Sequence, residues 1–217
     1  MTVGSRRLLL FLAGAIAICG GMYVVFSAID TLRTLDLVEA ERNTWQRSAE
    51  VLRALDLKEG NTVADVGCGA GYFTLKVSTV VGSPGRVLAV DLRRLSLTFL
   101  WIRTLARSPH NVHVIVGEDD DPHLPPDRVD AVLIANTYHE FRNPRAMMAH
   151  ILSALHSGGR LVVLDRGPGP AVDGHEVTVE TVAKELDHGG FAILDREDPF
   201  IRRSGDDPWW LLVSQKP

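Results

Sequence analysis

An acid and three alternating glycines form the first group of residues that could do chemistry. Asp65 is followed by Gly67, Gly69 and Gly71, directly after a short apolar run. Glycines in such a turn reach backbone angles closed to other residues and leave the main chain bare, so a ligand can lie against it. A dinucleotide fingerprint would need Gly or Ala where this chain has Tyr72, which disfavours a ligand with a pyrophosphate group.

Acids also follow the next two predicted strands. Asp91 ends the strand predicted at Arg86 to Val90, and Glu118, Asp119 and Asp120 follow a later one. Ligands of open parallel sheets bind outside the carboxyl ends of the strands, so Asp91 is expected beside the glycine turn. The three acids further on form either a solvated loop or one wall of the same site.

A polar stretch, Asn136-Thr137-Tyr138-His139-Glu140-Phe141, follows the fourth predicted strand. His139 is the candidate catalytic base, because a histidine near neutral pKa could take a proton from an oxygen or nitrogen nucleophile. The alternative is that His139 only positions a substrate or caps the helix predicted to begin near Asn143-Pro144. Transfer of a group between two bound molecules often requires only the alignment of donor and acceptor, with no base.

The stretch from Asp65 to Gly71, together with Asp91, resembles motif I and the second acidic position of class I S-adenosylmethionine-dependent methyltransferases. The resemblance implies S-adenosylmethionine as cofactor, with Asp65 at its amino-acid end and Asp91 at its ribose. It also implies that an acid from the 118–120 loop lies near the adenine amino group, and that the stretch from Asn136 sits where motif IV does. The cofactor-binding candidates are therefore Asp65, Gly67, Gly69, Gly71, Asp91, Glu118, Asp119 and Asn136. A glycine-rich turn in an α/β protein that binds no nucleotide is the alternative.

Strand patterns and helix patterns alternate along the chain around these residues. This alternation predicts an α/β fold with a Rossmann-like, doubly wound sheet. The sheet is expected to have seven strands, mostly parallel, with an antiparallel last strand. Strands are expected at Thr62 to Val66, Arg86 to Val90, Val112 to Val116, Val129 to Ala135, Leu161 to Leu164, Phe191 to Leu194 and Trp209 to Val213. Helices are expected at Tyr72 to Val81, Leu95 to Arg107, Pro144 to Leu155, and from His175-Glu176 through Val177 to His188.

The N-terminal 57 residues lie outside this pattern. Residues Leu8 to Ile29 carry no charge, which is enough helix to cross the roughly 30 Å hydrocarbon core of a bilayer. A membrane anchor is the favoured interpretation, and a cleaved signal is the alternative. Residues 30–57 predict one long amphipathic helix or two, ended near Gly60, in which Trp45 either packs on the domain or helps to close the cofactor pocket. The predicted division is 1–29 membrane helix, 30–57 linker and 58–217 methyltransferase domain.

The distribution of basic residues and the source of the cofactor point to opposite sides of the membrane for the catalytic domain. Basic residues before the apolar run place the domain outside the cytoplasm by the positive-inside rule. S-adenosylmethionine, however, is made inside the cell. Because the donor is made inside the cell, we expect a single-pass membrane protein with a cytoplasmic catalytic domain.

The charge and cysteine content of the chain exclude some classes of partner and cross-link. The 217-residue chain has a formal net charge of −4, and its basic residues are scattered, so no nucleic-acid partner is expected. Its two cysteines imply no disulfide framework. No metal site is predicted, and the oligomeric state is left open.

The function predicted from these features is transfer of a methyl group from S-adenosylmethionine to an unidentified small-molecule or lipid acceptor. The alternative is a non-catalytic S-adenosylmethionine-binding sensor or scaffold at the membrane. A nicotinamide oxidoreductase is disfavoured because Tyr72 breaks the dinucleotide fingerprint.

Overall fold

The computed structural model describes residues 3–107, 110–168, 177–203 and 208–217, with side chains from Gly14 onward except at residue 15. The chain divides into two compact units, Met1–Thr44 and Trp45–Pro217. The first consists of most of helix α1, Val3–Trp45, in which many described apolar side chains, such as Tyr23 and Phe26, are exposed. Within the described residues, one span, Ile16–Trp45, is long and apolar enough to cross a membrane. One such helix near the N-terminus is weak evidence for an anchor, because a signal sequence passes the same test.

The second unit is built on a seven-stranded sheet in the order β3-β2-β1-β4-β5-β7-β6 over the described residues. Strands β1 to β5 are parallel, and β7 runs antiparallel to both β5 and β6. This arrangement confirms the predicted fold class. The strands are β1 Thr62–Val66, β2 Arg86–Asp91, β3 Val112–Val116, β4 Val129–Ala135, β5 Leu155–Arg166, β6 Ala192–Ile201 and β7 Trp209–Gln215.

Helices cover both faces of the sheet. One apolar cluster joins the strands to α5 and α6, and another joins the opposite side chains of the same strands to α2 and α3. Helix α4 packs through Leu97 and Leu100 beside α3. These helices are α2 Ser48–Ala54, α3 Tyr72–Val81, α4 Arg94–Arg107, α5 Pro144–Ala154 and α6 Val179–His188, with a 3₁₀ helix at Tyr138–Glu140.

One predicted helix end is wrong, and one predicted helix start lies mostly outside the described residues. The helical region before β1 breaks at Arg47, whose φ of 49° lies in the left-handed region, and α2 then ends at Ala54. Gly60, with φ of 90°, therefore lies in a turn beyond the helix and does not cap it. Helix α6 begins at Val179 because the Thr178 side chain accepts a hydrogen bond from the Thr181 N–H at 3.2 Å. The opening expected at His175-Glu176 lies outside the described residues.

The fifth strand is longer than predicted. Residues 156–160, which lie between the predicted helix and the predicted strand, are part of β5, which starts at Leu155 opposite Val129. The register between β4 and β5 shifts before Arg160 pairs with Ala131. An irregular strand of this kind reads as a turn in the sequence because its glycines supply the unusual backbone angles, as Gly158 does with φ of 83°.

A histidine joins β4 to this irregular stretch at the edge of the sheet away from the predicted site. His156 Nε2 lies 2.7 Å from Asp130 Oδ1, and its Nδ1 lies 2.9 Å from the Ser157 carbonyl oxygen. Both ring nitrogens face acceptors, and only the imidazolium can donate to both. The Asp130 hydrogen bond accordingly raises the pKa of His156 above its ordinary value.

A raised folded-state pKa makes part of the stability pH-dependent. The charged pair contributes fully below the unfolded pKa of about 6.5, and this contribution is lost as pH rises through the folded pKa. His156→Gln, which cannot carry the charge, is expected to be about 0.2–1 kcal/mol less stable below pH 6, the range of partly exposed pairs. Denaturant unfolding at a series of pH values measures the difference, which should shrink with rising pH. A difference that stays constant with pH would show that His156 remains uncharged.

Candidate active site

The glycine turn connects β1 to α3 at the carboxyl edge of the sheet. Gly67 and Cys68 donate backbone hydrogen bonds to the Val90 carbonyl oxygen at 2.8 and 3.0 Å, which fixes the turn against β2. Gly71 has φ of 95° and directly precedes α3. Gly69 has φ of 54° and nothing within 4 Å of where a Cβ would stand. The main chain at Gly69 is thus open to a ligand.

Cys68 lies inside this turn, and its thiol is unreactive. Its side chain is buried, and its Sγ lies 3.6 Å from the Gly69 carbonyl oxygen. Burial raises the pKa of the Cys68 thiol far above its usual range, with the nearby Asp65 and Asp91 adding to the rise. The thiolate, the reactive form of cysteine, is therefore not available.

Asp65 lies under the turn near the end of β1. Its side chain is buried, and its Oδ2 accepts a 2.6 Å hydrogen bond from the Thr74 hydroxyl in the first turn of α3. A buried carboxylate needs partners of this kind, because an ion out of water is costly unless it is hydrogen-bonded. The carboxylate has further lone pairs with which it can meet a ligand cation.

Asp91 ties the glycine turn to the end of β2. Its Oδ2 accepts from the Gly69 N–H at 2.8 Å, and its Oδ1 accepts from the Arg93 N–H at 2.8 Å. A carboxylate offers about four acceptor positions, so two remain for hydroxyl groups. Asp91 therefore holds the open part of the turn in shape and can also contact a ligand.

The acidic loop after β3 lines an open pocket of about 570 Å³. Asp119 makes an ion pair with Arg142 at 3.3 Å, and Glu118 lies 3.6 Å from His123. The structure thus brings all three predicted acids to one pocket next to the end of β2. The pocket is lined by Leu92, Gly117, Glu118, Asp119, Asp120, Arg142 and Asn143.

His139 lies in the 3₁₀ helix after β4 and is held by Asp165 at the end of β5. Its Nδ1 is 2.7 Å from Asp165 Oδ1, and its backbone N–H donates to Asp165 Oδ2 at 3.1 Å. The two side chains are 6% and 0% exposed. The Asp165 hydrogen bond raises the pKa of His139 above its ordinary value and outweighs the opposite effect of burial. An acceptor at Nδ1 fixes the proton there and leaves Nε2 as the basic nitrogen of the neutral ring.

Asn136 begins the polar stretch in a strained conformation. Its φ is 58°, and its N–H donates to the Leu164 carbonyl oxygen at 2.7 Å. Within the described residues its Oδ1 is buried and has no hydrogen-bond partner. A buried, unsatisfied side-chain oxygen at the end of a central strand is an available acceptor for a bound molecule.

Three residues of the site were not among the predicted site residues. They are Asp165, Thr74 and Thr137, which packs against Gly67. Trp45 packs against Trp209 with ring centroids 5.7 Å apart, which supports its packing interpretation.

Alanine substitutions at Gly67 and Gly69 should distinguish the effect of the turn on stability from its effect on ligand binding. A Cβ at Gly67 would lie 2.2 Å from Thr137 Oγ1 at φ of 77°, whereas a Cβ at Gly69 meets nothing. We expect Gly67→Ala to lower the free energy of unfolding by about 2–5 kcal/mol through strain and overpacking. Gly69→Ala should cost only about 1–2 kcal/mol of stability from its backbone conformation.

The two variants should also differ in donor binding. Gly69→Ala places a methyl group on the open side of the turn, so the dissociation constant of S-adenosylmethionine should rise by roughly tenfold or more, equivalent to about 1.4 kcal/mol. Calorimetric titration of the folded variant gives this value. An unchanged dissociation constant would mean that the ligand does not lie against Gly69.

Comparisons with known proteins agree with this geometry. Residues 57–190 match the family described as a methyltransferase domain. A ubiquinone/menaquinone biosynthesis C-methyltransferase of Marinomonas sp. is 28% identical over 172 residues, covering 78% of this chain and 64% of the relative. Phosphoethanolamine N-methyltransferase 1 of Triticum aestivum is 26% identical over 176 residues, covering 73% of this chain and 34% of the relative. The chain therefore spans less than two thirds of either relative's length.

A solved structure shows the same fold. The SAM-dependent methyltransferase from Aquifex aeolicus matches with a TM-score of 0.73 at 22% identity, covering 86% of this chain and 98% of that one. The sheet order and the glycine turn define the class I S-adenosylmethionine-dependent methyltransferase fold. By its family match, the chain belongs to the methyltransferase-domain family, as its motifs had indicated.

Proposed function

We propose that this protein is an S-adenosylmethionine-dependent methyltransferase that acts on a small-molecule or lipid acceptor, with His139 as the base. The observation that carries the proposal is the His139–Asp165 pair, held 2.7 Å apart at the same sheet edge as the glycine turn. A donor site and a held base at one edge form an arrangement suited to transfer of a group to an ionisable nucleophile. The family match and the relatives named above support the reaction class.

The residues at the edge fit S-adenosylmethionine, which supplies an activated methyl group on a sulfonium when bound. The open main chain at Gly69, between Gly67 and Gly71, takes the body of the ligand. Asp65 meets the amino group, and Asp91 meets the ribose hydroxyls through its remaining lone pairs. The buried Asn136 Oδ1 offers one further acceptor.

The pocket beyond β3 is the proposed adenine position. Glu118 and Asp119 both line it, and either carboxylate can accept a hydrogen bond from an exocyclic amino group. Asp119 is already paired with Arg142, and Glu118 lies near His123, so each would share its oxygens with a ligand.

His139 has a defined proton task in this proposal. Asp165 holds the Nδ1 proton and orients the ring, so Nε2 accepts the proton that leaves the acceptor's nucleophile. Asp165 also stabilises the imidazolium that results, because an opposite charge at hydrogen-bond distance favours the charged form. The nucleophile can be oxygen, nitrogen or a ring carbon next to an ionised hydroxyl group.

A membrane-associated acceptor is part of the proposal. Relatives named for ubiquinone/menaquinone biosynthesis and for phosphoethanolamine N-methylation support a small-molecule acceptor. The apolar span within α1 supports a single-pass anchor. We propose a cytoplasmic catalytic domain, where the donor is made, and the division into 1–29 anchor, 30–57 linker and 58–217 catalytic domain.

Calorimetric titration of the purified full-length protein with S-adenosylmethionine and with NAD tests the donor assignment. Binding of S-adenosylmethionine and no binding of NAD is the expected result. Binding of NAD alone would replace the proposal with an oxidoreductase.

A further inference from the structure

The outer face of α4 exposes large apolar side chains. Leu95, Trp101 and Leu105 are 70%, 54% and 62% exposed, and they define what is here called the outer face. At 100° per residue all three lie in the half of the helix opposite the buried Leu100. Single exposed leucines are ordinary, but a tryptophan and two leucines on one side of a helix mark an interaction surface.

The segment that contains α4 is also rich in positive charge. Residues 92–107 contain four arginines and no acid, in a chain whose formal net charge is −4. Arg103 points inward and donates to the Ala70 carbonyl oxygen, while Arg93 pairs with Glu140. Arg94 at the first turn and Arg107 at the last turn are exposed. Positive charge thus flanks the apolar outer face at both ends.

Tryptophan and leucine on one side of a helix, flanked by arginine, suit the boundary between lipid headgroups and acyl chains. The basic ends complement anionic headgroups, whose negative surface potential attracts arginine. A protein partner would meet the same apolar face, but the flanking charge and a chain that carries a membrane-length helix favour lipid.

We propose that the outer face of α4 lies on the surface of a bilayer containing anionic phospholipid. The proposal rests on the proposed anchor and is independent of which acceptor is methylated. Leu92, just before α4, is about half exposed and lines the open pocket beside the acidic loop. Contact at α4 therefore places this side of the catalytic unit next to the lipid, so an acceptor dissolved in the bilayer has a short path to the site.

Tryptophan fluorescence of the full-length protein in vesicles tests this contact. The chain has four tryptophans: Trp209 and Trp210 are buried, Trp45 is partly buried, and Trp101 is the exposed one. The vesicles contain equal parts of phosphatidylcholine and phosphatidylglycerol, with brominated acyl chains as the quencher. An interfacial helix buries its apolar face by only about 5–10 Å, so bromines near the carbonyl end should quench more than bromines near the terminal methyl group.

Trp101→Phe keeps an apolar side chain and should lose most of the bromolipid quenching while the protein still floats with the vesicles. Arg94→Gln should reduce quenching, as should vesicles of phosphatidylcholine alone. Leu194→Gln, at an exposed leucine of β6, is the matched control and should quench as wild type does.

Three results would overturn the proposal. Equal quenching of wild type and Trp101→Phe, in protein that floats with the vesicles, would show that α4 stays off the lipid. A dimer in detergent that dissociates in Leu95→Gln would show that a second copy covers the outer face. If the wild-type protein fails to float with the vesicles, the proposed membrane anchor, and with it the lipid contact of α4, is wrong. Methyl transfer in solution would be unaffected by that result, so the lipid-contact proposal and the methyltransferase proposal can fail separately.

Discussion

Replacing His139 by Gln is expected to lower kcat for methyl transfer by about 10²- to 10⁴-fold, the usual contribution of a general base. The expectation follows from the geometry: a ring that is 6% exposed, with its Nδ1 held 2.7 Å from a fully buried carboxylate, has one nitrogen left for proton transfer. Glutamine has a similar polarity but cannot take a proton. Donor affinity, measured by calorimetry, should stay near the wild-type value because His139 is not proposed to contact the donor.

The pH profile distinguishes a base from a positioning residue. Asp165 raises the pKa of His139, and a base must be neutral, so kcat should rise with pH through an inflection above pH 6.5. Asp165→Asn removes the largest cause of the raised pKa, so the inflection should move to lower pH while the plateau falls. His188→Gln, at an exposed histidine of α6, is the control and should leave the profile unchanged.

A retained inflection in His139→Gln would assign the proton transfer to another group. A small loss of kcat with no change of profile shape would instead leave His139 as a positioning residue, the alternative that its sequence context also allows. Either outcome leaves the donor site intact.

Replacing Asp65 by Ala is expected to raise the dissociation constant of S-adenosylmethionine by about 10- to 150-fold. A lost charge-assisted hydrogen bond is worth roughly 1.5–3 kcal/mol, which converts to that range. The same change leaves the Thr74 hydroxyl without its buried acceptor, so the variant should also be less stable.

Two further variants separate these effects. Asp65→Asn can still accept from Thr74 but has lost its charge, so it should weaken donor binding with a smaller loss of stability. Thr74→Val removes the internal hydrogen bond and keeps the charge, so it should mainly affect stability. If a folded Asp65→Asn protein binds S-adenosylmethionine with wild-type affinity, the Asp65 carboxylate does not contact the donor.

The elements around the glycine turn could be predicted closely from the sequence. Strand β1, helix α3, strand β3 and strand β4 begin and end at the predicted residues. Glycine, proline and charged residues interrupt the apolar runs there, and these residues end elements for local steric reasons. Asp91 was placed correctly at the carboxyl end of β2 for the same reason.

The features that the sequence did not predict, or left open, depend on contacts between residues distant in the chain. His139 and Asp165 are 26 residues apart and meet because β4 and β5 are neighbours, which no local pattern records. Whether residues 30–57 form one helix or two was left open by the sequence. The structure has two, because Arg47 takes a left-handed conformation and is held there by ion pairs to Glu50 and to Glu197, which lies 150 residues away. The early start of β5 depends on the register with β4, which is likewise a tertiary property.

Transfer of a labelled methyl group tests directly whether the protein is a methyltransferase. Full-length protein is incubated with methyl-labelled S-adenosylmethionine and a cell extract separated into lipid, small-molecule and macromolecular fractions. We expect label in a lipid or small-molecule product, and much less of it with His139→Gln and with Asp65→Asn. Tight binding of the donor with no label in any fraction would contradict it and would identify the protein as a sensor or scaffold.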